Sequence, residues 1–80
     1  MNHAAEVRSF ISETFFVDDF ADGDSFLQTG IVDSTGMMEL VAFLEGRFGI
    51  RIADHELVPE NLDSVSNVCG FIDRKRADAA

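Results

Sequence analysis

Apolar residues recur at the three- and four-residue steps of an amphipathic helix in three separate stretches of the chain. Val7, Phe10, Ile11 and Phe15, with Thr14, form the first, which starts at Asn2 or His3 and ends before Asp18-Asp19. Met37, Leu40, Val41, Leu44 and Phe48 form the second, entered at Asp33-Ser34 and closed by Gly49, since glycine takes the left-handed conformation of a helix end at little cost. Val65, Val68, Cys69 and Ile72 form the third, with Asp63-Ser64 as capping residues and Arg74-Lys75-Arg76 suiting its negative C-terminal end.

The segments between them are weaker signals. Asp54 and His55-Glu56-Leu57-Val58 predict one short turn, stopped by Pro59 because the residue before a proline avoids helical backbone. Asp18 to Val32 is a long connection containing Gly23 and Gly30, and its Phe20, Phe26, Leu27, Ile31 and Val32 are expected to tie it onto the core. Strand-like alternation is confined to Ile50-Arg51-Ile52, too short to start a sheet. The predicted fold is an all-α bundle of three longer helices and one short helix.

Eighty residues are expected to form one domain, and 46% hydrophobic with 26% charged residues is the balance of a chain that folds. The net charge of −9 changes the functional picture more. Residues 1–63 hold 13 acids against 3 bases, and such a surface repels nucleic acid and anionic lipid while attracting basic protein patches. With no apolar leader and no run of 18 apolar residues, no membrane insertion is expected and a cytoplasmic location is.

Several chemistries fail on spacing. Asp18, Asp22, Gly23 and Asp24 imitate a calcium loop, but Phe20 and Thr29 stand where oxygen ligands are required. His3 and His55 share no metal or dyad spacing with Cys69 and are expected to be incidental, while Cys69 reads as a buried, inert thiol on an apolar stripe. Phe43 and Phe71 fall off the main stripes, with an edge-of-core place or a place over a partner or cargo cleft both open.

The informative stretch is Gly30-Ile31-Val32-Asp33-Ser34-Thr35-Gly36-Met37-Met38-Glu39-Leu40, where a serine stands at the junction of loop and helix. Unpaired amides and the positive dipole end there favour an anion on or near the serine oxygen. An ordinary N-cap pair formed by Asp33 and Ser34 explains the same residues, and physics alone leaves the two readings level.

Here the chain resembles the acyl carrier proteins and the related peptidyl and D-alanyl carriers. The resemblance centres on Asp33-Ser34, Glu39-Leu40 and the helical run to Phe48, with Phe26-Leu27 and Gly30 upstream and Glu56-Leu57, Pro59-Glu60-Asn61 and Val65 to Ile72 downstream. It implies a non-enzymatic, monomeric carrier in which Ser34, preceded by Asp33, bears 4′-phosphopantetheine installed from coenzyme A by a phosphopantetheinyl transferase. The arm's thiol would hold an acyl or aminoacyl group as a thioester, loaded by an adenylating acyl- or aminoacyl-carrier ligase and used by acyl-processing or acyl-transfer enzymes in a lipid, polyketide, peptide or cell-envelope pathway.

Partner docking is expected to use Glu39 and Glu45, both read as solvated on the second helix, with Asp54 and Glu56 near them and Met38 and Ala42 at the stripe edge. The chain departs from the fatty-acid-synthesis pattern at Thr35, where leucine is common, and at Gly36 and Gly46, where acids are frequent; Arg47 is also unexpected. Thr35 looks more like the D-alanyl carriers. The rival from another class is a small acidic adaptor or inhibitor without a prosthetic group, and a hydrolase using Ser34 lacks a histidine poised as its base.

Overall fold

The computed structural model describes residues 3–79, and every regular element among them is helical. Three long helices, α1 (Ala4–Phe15), α3 (Ser34–Phe48) and α5 (Val65–Ala79), carry the three predicted stripes; two one-turn helices, α2 (Phe26–Thr29) and α4 (Pro59–Leu62), and a 3-10 turn at Asp54–Glu56 lie in the connections. The all-α prediction holds, and the count of short helices is corrected from one.

The core follows from the stripes. Val7 and Ile11 of α1, Leu40 and Leu44 of α3, and Val65, Val68 and Ile72 of α5 are fully buried, each contributing about 1.5–3 kcal/mol of apolar burial. Phe20, Phe26 and Val32 fasten the long connection onto this core, as expected. Leu27 does not: it is 51% exposed, because Phe26 takes the inward position of the single turn they share. Phe71 is buried, since the apolar face of α5 is wider than the narrow stripe read from sequence. Phe43 is half-buried and stacks on Phe10 at a centroid distance of 4.2 Å.

The two extra helices are set by capping rather than by hydrophobic period. The Ser25 hydroxyl accepts the Gln28 N–H at 3.1 Å to open α2, and Gly30 at φ 77° closes it. The 3-10 turn ends at Glu56, short of the expected Val58, which is extended before Pro59; the proline stands at the first position of α4, where its missing N–H costs nothing. Asp63 joins the two regions: its carboxylate accepts from the Ser25 hydroxyl and, at 3.0 Å, from the Leu27 N–H. Ser64, not Asp63, caps α5 by accepting the Asn67 N–H at 3.1 Å.

His3 is a further correction. Its ring is buried edge-on against Phe48 with centroids 4.8 Å apart, and Nε2 lies 3.4 Å from Asp73 Oδ1, so it packs α1 against α3 and α5. Asn2 lies outside the described residues. Cys69 is only half-buried, and that burial, then Asp73 and Asp22, pushes its thiol up in pKa. No described helix is long and apolar enough to cross a membrane.

Lys75 of α5 donates to Glu56 Oε1 at 2.9 Å, and the same oxygen accepts the Ala53 N–H at 2.9 Å. These contacts, the backbone bond first, hold the Glu56 carboxyl below its ordinary value of 4.5. A depressed folded-state pKa stabilises the fold above the unfolded value and loses that contribution as pH falls through the folded value. Replacing Glu56 by Gln is therefore expected to lower the urea midpoint at pH 7 and to narrow its difference from wild type as the pH drops below 4.5; urea titrations across that range check it.

Candidate functional site

The start of α3 is built from both sides of the chain. Upstream, Val32 is buried and its N–H donates to the Phe26 carbonyl at 3.3 Å, which fixes the loop two residues before Ser34. Asp33 is extended, at φ −97° and ψ −172°, and its Oδ1 accepts the Gly36 N–H at 2.7 Å. The first intrahelical bond runs from Met37 N–H to the Asp33 carbonyl at 2.8 Å. The amides of Ser34 and Thr35 therefore precede the helical ladder at the positive end of a 15-residue helix.

This geometry divides the two residues that the sequence left level. Asp33 does the capping, and the Ser34 hydroxyl is exposed with no hydrogen bond among the described residues. An exposed hydroxyl beside two spare amides fits a phosphodiester. Three residues along α3, Met37 joins Leu27, Leu57, Val58, Pro59 and Leu62 in lining a cleft of about 130 Å³. The exposed serine and its neighbouring amides thus fit a phosphate-linked arm.

Downstream, Gly36 is buried against the end of α1. A Cβ at that position would lie 2.6 Å from Phe15 Cε1, 3.0 Å from Cζ and 3.2 Å from Asp33 Oδ1. In the sequence Gly36 stands out only as a glycine where acids are frequent. The structure makes it a position where the Phe15 ring at the end of α1 leaves no room for a side chain, a requirement set by tertiary contact.

The expected docking residues separate into two groups. Met38 (59% exposed), Glu39 and Ala42 lie open on the outer face of α3, following Ser34 and Thr35 along the helix, and Asp54 is exposed at the 3-10 turn. Glu45 is not solvated as expected: it is half-buried, and its Oε2 accepts the Ile52 N–H at 2.9 Å, anchoring the chain beyond α3. Glu56 is committed to Lys75 and Ala53, so it holds α5 rather than offering a free charge. Arg47 pairs with Glu6 of α1 at 2.8 Å. No group of three metal-ligating side chains occurs among the described residues.

Comparison with known proteins agrees with this geometry. The family described as "Phosphopantetheine attachment site" matches residues 5–72. The D-alanyl carrier proteins of Streptococcus sanguinis and Streptococcus gordonii are each 36% identical over 70 residues, covering 85% of this chain and 87% of theirs. The crystal structure of an acyl carrier protein from Thermotoga maritima superimposes with a TM-score of 0.74 over 95% of this chain and 88% of that one, at 23% identity.

The Gly36 contact makes a prediction opposite to helix propensity, which favours Ala over Gly by about 1 kcal/mol. Gly36→Ala is expected to destabilise the protein by about 1–3 kcal/mol through overpacking against Phe15. The same change in a Phe15→Leu background should be neutral or stabilising, and a double-mutant cycle of denaturant titrations measures the difference.

Proposed function

Because the chain belongs to the phosphopantetheine attachment site family, whose members are carriers rather than catalysts, we propose that Ser34 is the residue that bears the arm and that the cargo is D-alanine. The observation that carries the first half is the exposed Ser34 hydroxyl at the mouth of α3, left free because Asp33 supplies the cap. The second half is supported by the D-alanyl carriers at 36% identity and by Thr35, which resembles that subgroup.

When bound, 4′-phosphopantetheine supplies a thiol that holds the cargo as a thioester. The chain's own residues do three things. The Ser34 oxygen takes the phosphoryl end of the pantetheine from coenzyme A, with loss of its proton and release of adenosine 3′,5′-bisphosphate under a phosphopantetheinyl transferase. The Ser34 and Thr35 amides and the dipole of α3 favour the resulting negative charge. Met38, Ala42 and Glu39 offer a small apolar and acidic face to the basic surfaces of an adenylating ligase and of the enzymes that take the cargo on. Tethering then raises the cargo's effective concentration at each docked enzyme.

The test is a mass measurement in two stages. Coenzyme A and a broad-specificity phosphopantetheinyl transferase should add one arm to the wild-type chain and none to Ser34→Ala. ATP, D-alanine and a D-alanine-activating carrier ligase should then add one alanyl residue, removable by hydroxylamine. An unchanged mass at the first stage contradicts attachment at Ser34 and favours an adaptor; modification without alanylation contradicts only the cargo.

A further inference from the structure

A second cavity lies on the seam of α1 with the C-terminal half of α3. It is an open groove of about 510 Å³, and none of its lining residues belongs to the cleft at Met37. Its aromatic lining is the Phe10 ring stacked on the Phe43 ring, with centroids 4.2 Å apart and planes 13° from parallel, and both rings are only half-buried. Two acids share the wall, Glu6 four residues before Phe10 on α1 and Glu13 three residues after it, which puts all three on one face of the helix. Glu6 is taken, since its Oε2 lies 2.8 Å from Arg47 Nε. Glu13 is exposed and makes no hydrogen bond or ion pair among the described residues.

Elsewhere the chain itself fills such a setting with a cation. Arg8 pairs with Asp22 at 2.7 Å and lies over the Phe20 ring, 4.2 Å from its centroid. Arg47, paired with Glu6, lies 5.8 Å from the Phe48 centroid. Lys75 pairs with Glu56 at 2.9 Å and lies 6.0 Å from the Phe71 centroid. Each of these three ion pairs sets the cation against a carboxylate and beside a phenylalanine ring, both of which attract it. Phe10, Phe43 and Glu13 repeat that set without a cation, because the one basic residue lining the groove, Arg47, is held by Glu6.

We infer that this groove docks an arginine side chain of a partner protein, its guanidinium against the Phe10 and Phe43 rings and paired with Glu13. Arginine suits the site better than lysine, since a planar guanidinium stacks on an aromatic ring while its N–H groups bond a carboxylate. The shape of the groove favours a protein segment over a small molecule. From Ala5 to Thr14 it follows α1 for about 13 Å and is open to solvent, whereas a small-ligand site encloses most of what it binds. A protruding segment, with apolar residues flanking the arginine, fills such a trough. The net charge of −9 draws a basic partner and opposes a second copy of the chain. This docking uses none of the residues at Ser34 and holds with or without an arm.

The test titrates the 15N-labelled, unmodified chain with acetyl-Leu-Arg-Leu amide at low ionic strength and follows proton–nitrogen correlation spectra. Saturable displacements are expected at Phe10, Glu13, Thr14 and Phe43. Citrulline in place of the peptide's arginine keeps the shape and removes the charge, and should weaken binding about ten-fold. Glu13→Gln should weaken it about three-fold, the upper range for an exposed pair. That variant should keep the thermal midpoint of wild type or exceed it, because Glu13 holds nothing in the fold and stands near the negative end of α1. A Glu13→Gln chain that binds the tripeptide as wild type does overturns the inference, as does equal binding of the citrulline peptide. Displacements centred on Asp18, Asp19 or Glu39 overturn it by showing general attraction to exposed acids. Methylguanidinium bound as tightly as the tripeptide assigns the groove to a free small cation, and concentration-dependent displacements there without peptide assign it to a second copy; either result also overturns it.

Discussion

The hydrogen bond from Gly36 N–H to Asp33 Oδ1, 2.7 Å long, decides what the next residue can be used for. Every helix start leaves amides without carbonyl partners, and a serine at such a start is ordinarily drawn into satisfying them. Here the aspartate one place earlier does so, and the Ser34 hydroxyl faces solvent with the Ser34 and Thr35 amides beside it. Position 36 lies close to both Asp33 and the Phe15 ring, an approach that glycine alone permits without displacement. A cap, a glycine and a phenylalanine from another helix thus jointly present one oxygen.

The remainder of the molecule holds that junction still. Phe26 and Val32 bury the incoming loop, and Leu40 and Leu44 bury the inner face of α3 in the core. Polar latches secure the opposite wall of the cleft: Asp63 ties α2 to the loop before α5, Glu56 joins the 3-10 turn to Lys75, and Glu45 receives the backbone of Ile52. These partly buried acids show that the chain's negative charge has two uses. Some carboxylates organise connections too short to own a core, and the exposed remainder, on α3 and after α1, sets the field that a basic partner meets.

The long helices were legible because each buries one face over three or four turns, so the spacing of Val7 to Phe15, Met37 to Phe48 and Val65 to Ile72 records it. The cap and terminator of α3 were equally local, and Asp33 and Gly49 play the parts their chemistry suggested. The one-turn helices α2 and α4 have no period to detect; only Ser25 with Gln28, and Pro59 at a first position, marked them. The partners of Glu45 and Glu56 leave no mark in the sequence, because an acid's partner is invisible until the fold brings an amide or a lysine to it. Gly36 and His3 escaped for the same reason: a close approach and a buried ring are products of tertiary packing.

Attachment of an anionic arm to Ser34 at the spare amides of α3, with the bundle otherwise unchanged, can be read residue by residue in proton–nitrogen correlation spectra of the 15N-labelled chain before and after modification. The largest displacements are expected at the Ser34 and Thr35 amides, smaller ones at Met37 and along the Leu57–Leu62 side of the cleft, and none through the first turns of α1. Unmoved Ser34 and Thr35 signals in a fully modified protein, with the changes centred on another serine, would contradict it.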